Sequence, residues 1–237
     1  GEKCSSQKHY DFGLRCLKSS LLQAGDIKRK LKISDRDLDE QKAVAEGLYN
    51  VILPRLIPND QQIFKKCVDN FGFSYDIMER NASLASNIKN KAFEAHLTVS
   101  TLWVDKCLQL YKVWTSHRGV IMIGKTGSGK SSMLNCLISA LKAEFEKGII
   151  VYYINPKTLS KEELYGTMDY TTSDWKDGIL TSILRADIDN LKGEQDKSIF
   201  VVFDGDIDPV WAENLNSVLD DNRLLTLPNG ERLSLPD

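Results

Sequence analysis

The stretch Gly124-Lys125-Thr126-Gly127-Ser128-Gly129-Lys130-Ser131 constrains this chain more than any other. It follows the apolar run Val120-Ile121-Met122-Ile123 and precedes a segment in which Leu134, Leu137, Ile138, Leu141 and Phe145 recur at helical spacing. The order is therefore strand, glycine loop, helix, the context a phosphate-binding loop requires. Glycines let backbone N–H groups turn toward phosphate oxygens, and the helix that follows points its positive end at the same anion. Gly124 to Ser131, with Ser132 beside them, are the candidate nucleotide contacts. Lys130 is expected to reach the outer phosphates, and the Ser131 hydroxyl to help hold Mg²⁺. The bland alternative is a glycine-rich turn with a solvated lysine.

The remaining chemistry of the chain is sparse. With 237 residues, 27% charged and a net charge of −2, nothing points to a nucleic-acid or membrane-surface partner. No apolar run approaches the roughly 20 residues needed to span a bilayer, and no signal peptide is visible at the start. The chain reads as a piece of a longer protein. Cys4, Cys16, Cys67, Cys107 and Cys136 are scattered without C-x-x-C spacing, so reduced thiols are the default. His9, His96 and His117 are far apart in sequence, which disfavours a metal site. Cys136, in the glycine-loop helix, reads as a small apolar filler.

Residues 9–72 read as small helices without a strand. Tyr10, Leu14, Leu17 and Leu21 share one face, with Gly25 as the stop. A connector over 26–37 leads to a helix starting near Ser34 or Asp35, with Val44, Leu48, Val51 and Ile52 on its face. Pro58 and Asn59 open another helix, carrying Ile63, Cys67 and Phe71 and ending at Gly72. Such a bundle is too small to be comfortable alone. Tyr75 to Phe93 continues helical with Leu84, Ile88 and Ala92 in phase. Thr98 is expected to cap a further helix with the stripe Val99, Trp103, Cys107, Leu110, Tyr111 and Trp114, which reads as core.

From Gly119 the pattern becomes α/β. Strands are expected at 119–123, 149–154 and 198–203, the last apolar on both faces as in a central parallel strand. Helices are expected at 130–145, from Ser160, at 179–191 and at 211–219. Asp169 to Gly178, with its lone Trp175, reads as a loop, and Asn229-Gly230 as a hairpin turn. The fold class is thus α/β: a P-loop parallel sheet with flanking helices, preceded by a small helical bundle.

Asp204, at the end of the 198–203 strand, is the expected partner of Ser131 in holding Mg²⁺. Hydrolysis also needs a group that polarises water, commonly a Glu directly after that Asp. Here Gly205 follows. Asp206 and Asp208 would have to fold back, and Glu213 lies on the next helix. A general base must come within hydrogen-bond reach of its proton, so binding without hydrolysis is the expectation. The alternatives are that Asp206 substitutes or that a neighbouring chain supplies the missing groups.

The run Phe203-Asp204-Gly205-Asp206-Ile207-Asp208-Pro209-Val210-Trp211, followed by Glu213 to Asn222, resembles the second AAA+ module of dynein heavy chains. So do Asn155-Pro156-Lys157, Ser160-Lys161, Leu164-Tyr165-Gly166 and Trp175-Lys176-Asp177-Gly178. His9-Tyr10-Asp11-Phe12-Gly13-Leu14-Arg15 looks like the helical lid of the first AAA+ module, and Leu224 to Leu233 looks more cytoplasmic than axonemal.

The resemblance implies a lid of the preceding module over 1–72 and an AAA+ large subdomain over 73–237, cut before the sensor-1 strand. It implies ATP or ADP with Mg as ligand, Leu97 and Thr98 near the adenine, and Arg15 as a sensor-2 arginine for the first module's nucleotide. The implied partners are the other AAA+ modules, dynein accessory chains and, through the full-length motor, the microtubule, in the cytoplasm at the cytoskeleton. It also implies weak nucleotide affinity for this piece alone. A working ATPase or kinase with its own substrate is the competing reading, and a scaffold with a vestigial loop a third.

Overall fold

The computed structural model describes residues 4–30, 36–70, 81–145, 148–169, 171–172, 174–191, 198–219 and 223–235. The chain separates into two compact units, Gly1–Glu144 and Phe145–Asp237. The expected module boundary at 72/73, the helix start at Ser34 or Asp35, and Phe71, Gly72 and Tyr75 lie outside the described residues.

The first unit has helices and no strand among its described residues: α1 (Leu14–Lys30), α2 (Arg36–Ile52), α3 (Pro58–Asp69), α4 (Ala82–Glu94), α5 (Thr101–Ser116) and α6 (Lys130–Glu144). α1 runs past the expected stop at Gly25, because a single glycine costs an otherwise regular helix only about 1 kcal/mol. Small residues bring α1 and α2 together. A Cβ on Gly47 would lie 2.7 Å from the Ser20 carbonyl oxygen and 3.1 Å from the Ala24 nitrogen. Ser20, Ala24 and Ala43 are buried at this crossing. The Leu14, Leu17, Leu21 face points away from it and is exposed, as is Val44. The predicted stripe is real in sequence, but the smaller residues make the contact inside this unit. Tyr49 packs edge-on against Phe64, with Ala45, Leu53 and Val68 around them. Ile57 opens α3 in extended geometry with Pro58 at its first turn, where the missing N–H costs nothing.

The chain start is tied to α3. The Ser5 N–H and hydroxyl and the Tyr10 hydroxyl all donate to the buried Asp60 carboxylate, and the Ile57 N–H donates to Tyr10 Oη at 2.9 Å. α4, α5 and α6 pack on one another through Leu84, Ile88, Ala92, Val104, Cys107, Leu108, Leu137 and Leu141, all buried. The phase predicted for α4 is observed. On α5 the cap is Ser100, whose Oγ accepts from the Trp103 N–H at 3.3 Å, rather than Thr98. The cap shifts because Leu97 and Thr98 belong to the turn that ends α4.

The second unit contains β1 (Ile149–Ile154) paired in parallel with β4 (Ser198–Phe203), Ile149 opposite Ser198 and Ile154 opposite Phe203. Between them lie α7 (Lys161–Tyr165), a hairpin of β2 (Gly166–Met168) with β3 (Trp175–Asp177), and α8 (Ile179–Leu191). Ser160 and Glu163 form a complete capping box at α7. The stretch expected as loop around Trp175 holds β3, because Trp175 packs against the core of Ile154, Leu164, Leu180 and Leu225. The helix expected over 211–219 is broken into α9 (Pro209–Ala212), a 3₁₀ turn over Glu213–Leu215 and α10 (Asn216–Leu219). β5 (Leu224–Thr226) and β6 (Arg232–Ser234) form the expected hairpin, with Gly230 at φ +85°. Arg185 on α8 joins both hairpins, bonding Asp177 at 2.7 Å and gripping Glu231 with both terminal nitrogens.

The described fold is mixed α/β with a small parallel sheet. The strand expected at 119–123 is not formed. Val120 to Ile123 has no ladder, and Ile121 and Ile123 are 64% and 92% exposed. No described strand exists within its own unit to receive its backbone groups, and a strand without a partner is not stable.

Candidate functional site

The glycine loop joins the end of α5 to α6 and lies entirely in the first unit. Gly127 and Gly129 adopt φ +77° and +81°, a region that side chains with a Cβ rarely enter. Space beside Gly127 is open, with no atom within 4 Å of a Cβ placed there. The Ser128 N–H donates to the Lys125 carbonyl at 3.2 Å, and the Met133 N–H to the Gly129 carbonyl at 2.8 Å, so the loop turns directly into the helix.

α6 is 15 residues long and begins at Lys130, leaving its first N–H groups without helical acceptors. Lys130 Nζ donates to the carbonyls of Gly124 at 2.8 Å and Lys125 at 3.0 Å. The ammonium is therefore folded over the loop. Gly124, Lys125, Thr126, Gly127, Ser128 and Ser131 are exposed, while Gly129, Lys130 and Ser132 are half-buried. An open αL turn, a helix start and a lysine bonded only to carbonyls that an anion can outcompete form a donor set suited to a polyphosphate.

At the other end of α5, the α4–α5 connection is fixed by its own geometry. His96 sits at φ +56°. The Leu97 N–H donates to the Ala92 carbonyl and the His96 N–H to the Phe93 carbonyl, both at 2.9 Å, which is the Schellman arrangement. The turn presents Leu97 and Thr98 to a cleft of about 480 Å³ whose other walls include Phe93, Val99, Ser100 and Val104. The lining is apolar at Phe93, Leu97, Val99 and Val104 and polar at Lys89, Thr98, Ser100 and Thr101.

Asp204 belongs to the second unit. Its N–H donates to the Ile154 carbonyl at 2.9 Å, so it continues the β1–β4 ladder by one position. Its carboxylate is exposed at the C-terminal tip of β4. Gly205 lies against the tip of β1: a Cβ there would be 3.3 Å from Pro156 Cδ and 3.5 Å from Asn155 Oδ1. Asn155 Oδ1 also accepts from the Lys157 N–H at 3.1 Å. Asp206 is turned to Lys157, whose Nζ donates to it at 2.5 Å, and this bond holds the Asp206 carboxyl below its ordinary value. Glu213 is exposed in the 3₁₀ turn. Sequence reasoning valued Asn155 and Lys157 only for their resemblance. Their place at the tip of the strand beside β4 was the signal that they border Gly205.

Cys107 and Cys136 are packing residues, buried among apolar side chains. Burial pushes the Cys107 thiol up to about 12 and raises Cys136, which disfavours thiolate chemistry. Arg15 is exposed at the start of α1.

A family model described as the hydrolytic ATP binding site of the dynein motor region matches residues 1–131, and the AAA domain of the dynein-related subfamily matches 119–237. A cytoplasmic dynein heavy chain of Fusarium vanettenii is 46% identical over 240 residues, covering 99% of this chain. That of Drosophila melanogaster is 41% identical over 265 residues, also covering 99%. A dynein-1-alpha heavy chain of the flagellar inner arm I1 complex, from Chlamydomonas reinhardtii, is likewise 41% identical over 99% of the chain. The chain spans only about 6% of the length of the first two relatives and 5% of the third. AAA ATP-binding domains imply nucleotide binding. On the family models and on identity across its whole length, the chain belongs to the dynein heavy-chain family.

Proposed function

We propose that this chain is an ATP-binding, non-hydrolysing AAA+ portion of a dynein motor ring. Residues 1–72 act as the lid of the preceding module and 73–237 as the large subdomain of the next. Gly124 to Ser132 bind the phosphates of ATP or ADP, Leu97 and Thr98 border the adenine, and Ser131 and Asp204 hold Mg²⁺, partly through water. The bound nucleotide stiffens the ring and relays the state of the first module's site. In the full-length motor this supports ATP-driven movement on microtubules, with accessory chains as further partners, in the cytoplasm.

One observation carries the reading. A complete phosphate loop coexists with Gly205 at the position where water activation needs a carboxylate. Asn155 and Pro156 stand 3.3–3.5 Å from the missing Cβ, and the nearest substitute, Asp206, is bonded to Lys157. A carboxylate engaged by an ammonium is a poorer base.

The test is turnover and binding of Mg-ATP by the purified chain. Weak binding that disappears in Lys130→Ala, with phosphate release no faster than background, is expected. Steady phosphate release abolished by Lys130→Ala would establish the competing reading, an active ATPase.

A further inference from the structure

Trp103 borders the glycine loop of the proposed nucleotide site. Its backbone is fixed in the first turn of α5: the N–H is bonded to Ser100, and the next residue, Val104, is fully buried. Thr101 and Val104, from the same turn, line the cleft that includes Leu97 and Thr98. The Trp103 indole leaves this turn toward the glycine loop. A Cβ placed on Gly129 would lie 4.0 Å from Trp103 Nε1, and this is the nearest atom such a Cβ would meet. The indole is half-buried, and its N–H has no hydrogen-bond partner among the described residues. Sequence periodicity assigned Trp103 to the apolar stripe of α5, yet its polar edge faces the loop.

We propose that Trp103 is a nucleotide-contacting residue, with its indole flanking the phosphate loop at Gly129 and its Nε1–H donating to the sugar–phosphate portion of a bound adenine nucleotide. The inference rests on the nucleotide-binding reading given above and adds a residue to it. A base in the 97–101 cleft and phosphates over Gly127 to Lys130 leave the sugar and first phosphate to pass the indole. A neutral N–H donating to a phosphate oxygen forms a charge-assisted bond, roughly twice as strong as a neutral one. The indole can donate only through Nε1 and has no acceptor, so it suits an oxygen-rich anionic ligand. A purely structural Trp103 would only support the packing of α5.

Trp103→Phe separates these roles, keeping a ring and losing the donor. In titrations of the whole chain with Mg-ADP and Mg-ATP, Trp103→Phe is expected to weaken binding by about tenfold or more, with an unchanged circular dichroism spectrum. Trp114→Phe, on the same helix, is expected to bind as the parent does. In ¹⁵N spectra, one of the four indole N–H resonances, assigned by its loss in Trp103→Phe, is expected to shift as Mg-ADP saturates the parent.

Parental affinity in Trp103→Phe, or an unmoved Trp103 resonance at saturation, overturns the proposal while leaving nucleotide binding intact. If Trp103→Phe does not fold, the resonance of the parent decides alone. If the parent binds neither nucleotide, the nucleotide reading fails and this inference with it.

Discussion

Gly47 offers a measurement in which two forces of known size oppose each other. Replacing a helical glycine by alanine gains about 1 kcal/mol from backbone entropy and solvation when nothing is in the way. At Gly47 the new Cβ would lie 2.7 Å from the Ser20 carbonyl oxygen, 3.1 Å from the Ala24 nitrogen and 3.2 Å from Ala24 Cβ. Two of these atoms are backbone and the third is a methyl that cannot rotate away, so α1 and α2 must separate by several tenths of an ångström. Overpacking of this kind costs about 1–3 kcal/mol, so Gly47→Ala should destabilise the helix pair by about 1 kcal/mol net. Gly47→Leu should destroy the pairing.

Gly25, on α1, provides the control. Its Cβ would meet only the far end of the Arg29 side chain, at 3.7 Å, so Gly25→Ala should stabilise by about 0.5–1 kcal/mol. Native-state hydrogen exchange of α1 and α2 amides reads both signs in one experiment. A Gly47→Ala chain as well protected as the parent would show that the helices do not meet through these residues.

Three further outcomes follow from particular contacts. His96 at φ +56° holds a conformation costing a non-glycine residue about 1–2 kcal/mol. His96→Gly should therefore raise the urea midpoint of the α4–α5 region, and a lowered midpoint would refute the turn. The Asp60 carboxyl is held below its ordinary value first by the Ser5 side chain, then by Tyr10. A depressed acid stabilises above its unfolded value and loses that contribution as pH falls through the folded one. The Ser5 amide should therefore lose protection only below about pH 4, and Asp60→Asn should lack that transition. Leu225 is fully buried in the second unit's core, so Leu225→Ala should cost about 2–5 kcal/mol in chemical denaturation of that unit; a loss under 1 kcal/mol would contradict its place in the core.

Where the local sequence held all the information, the reading from residues alone agrees with the structure. The helix start at Ser160, the helix over 179–191, the extended segments at 149–154 and 198–203, and the Asn229-Gly230 turn depend on neighbours a few positions away. The glycine loop was legible for the same reason: its positive φ values at Gly127 and Gly129 are what the glycines are for. The absence of a carboxylate at Gly205 was equally visible, since a missing side chain needs no fold to reveal it.

Tertiary structure decided what depends on distant residues. Gly25 could not be distinguished from a helix stop until α1 was seen to continue to Lys30. The apolar stripe of Leu14, Leu17 and Leu21 could not announce that α1 meets α2 through Ser20, Ala24 and Gly47 instead. Trp103 read as core because periodicity registers a ring but not which edge faces a loop 26 positions away. The run Val120 to Ile123 shows the limit most plainly. Its composition suits a strand, but a strand is completed only by hydrogen bonds to another, and its own unit supplies no described partner. Composition fixes which backbone conformations are cheap, whereas pairing and burial are set by chain segments that no local pattern encodes.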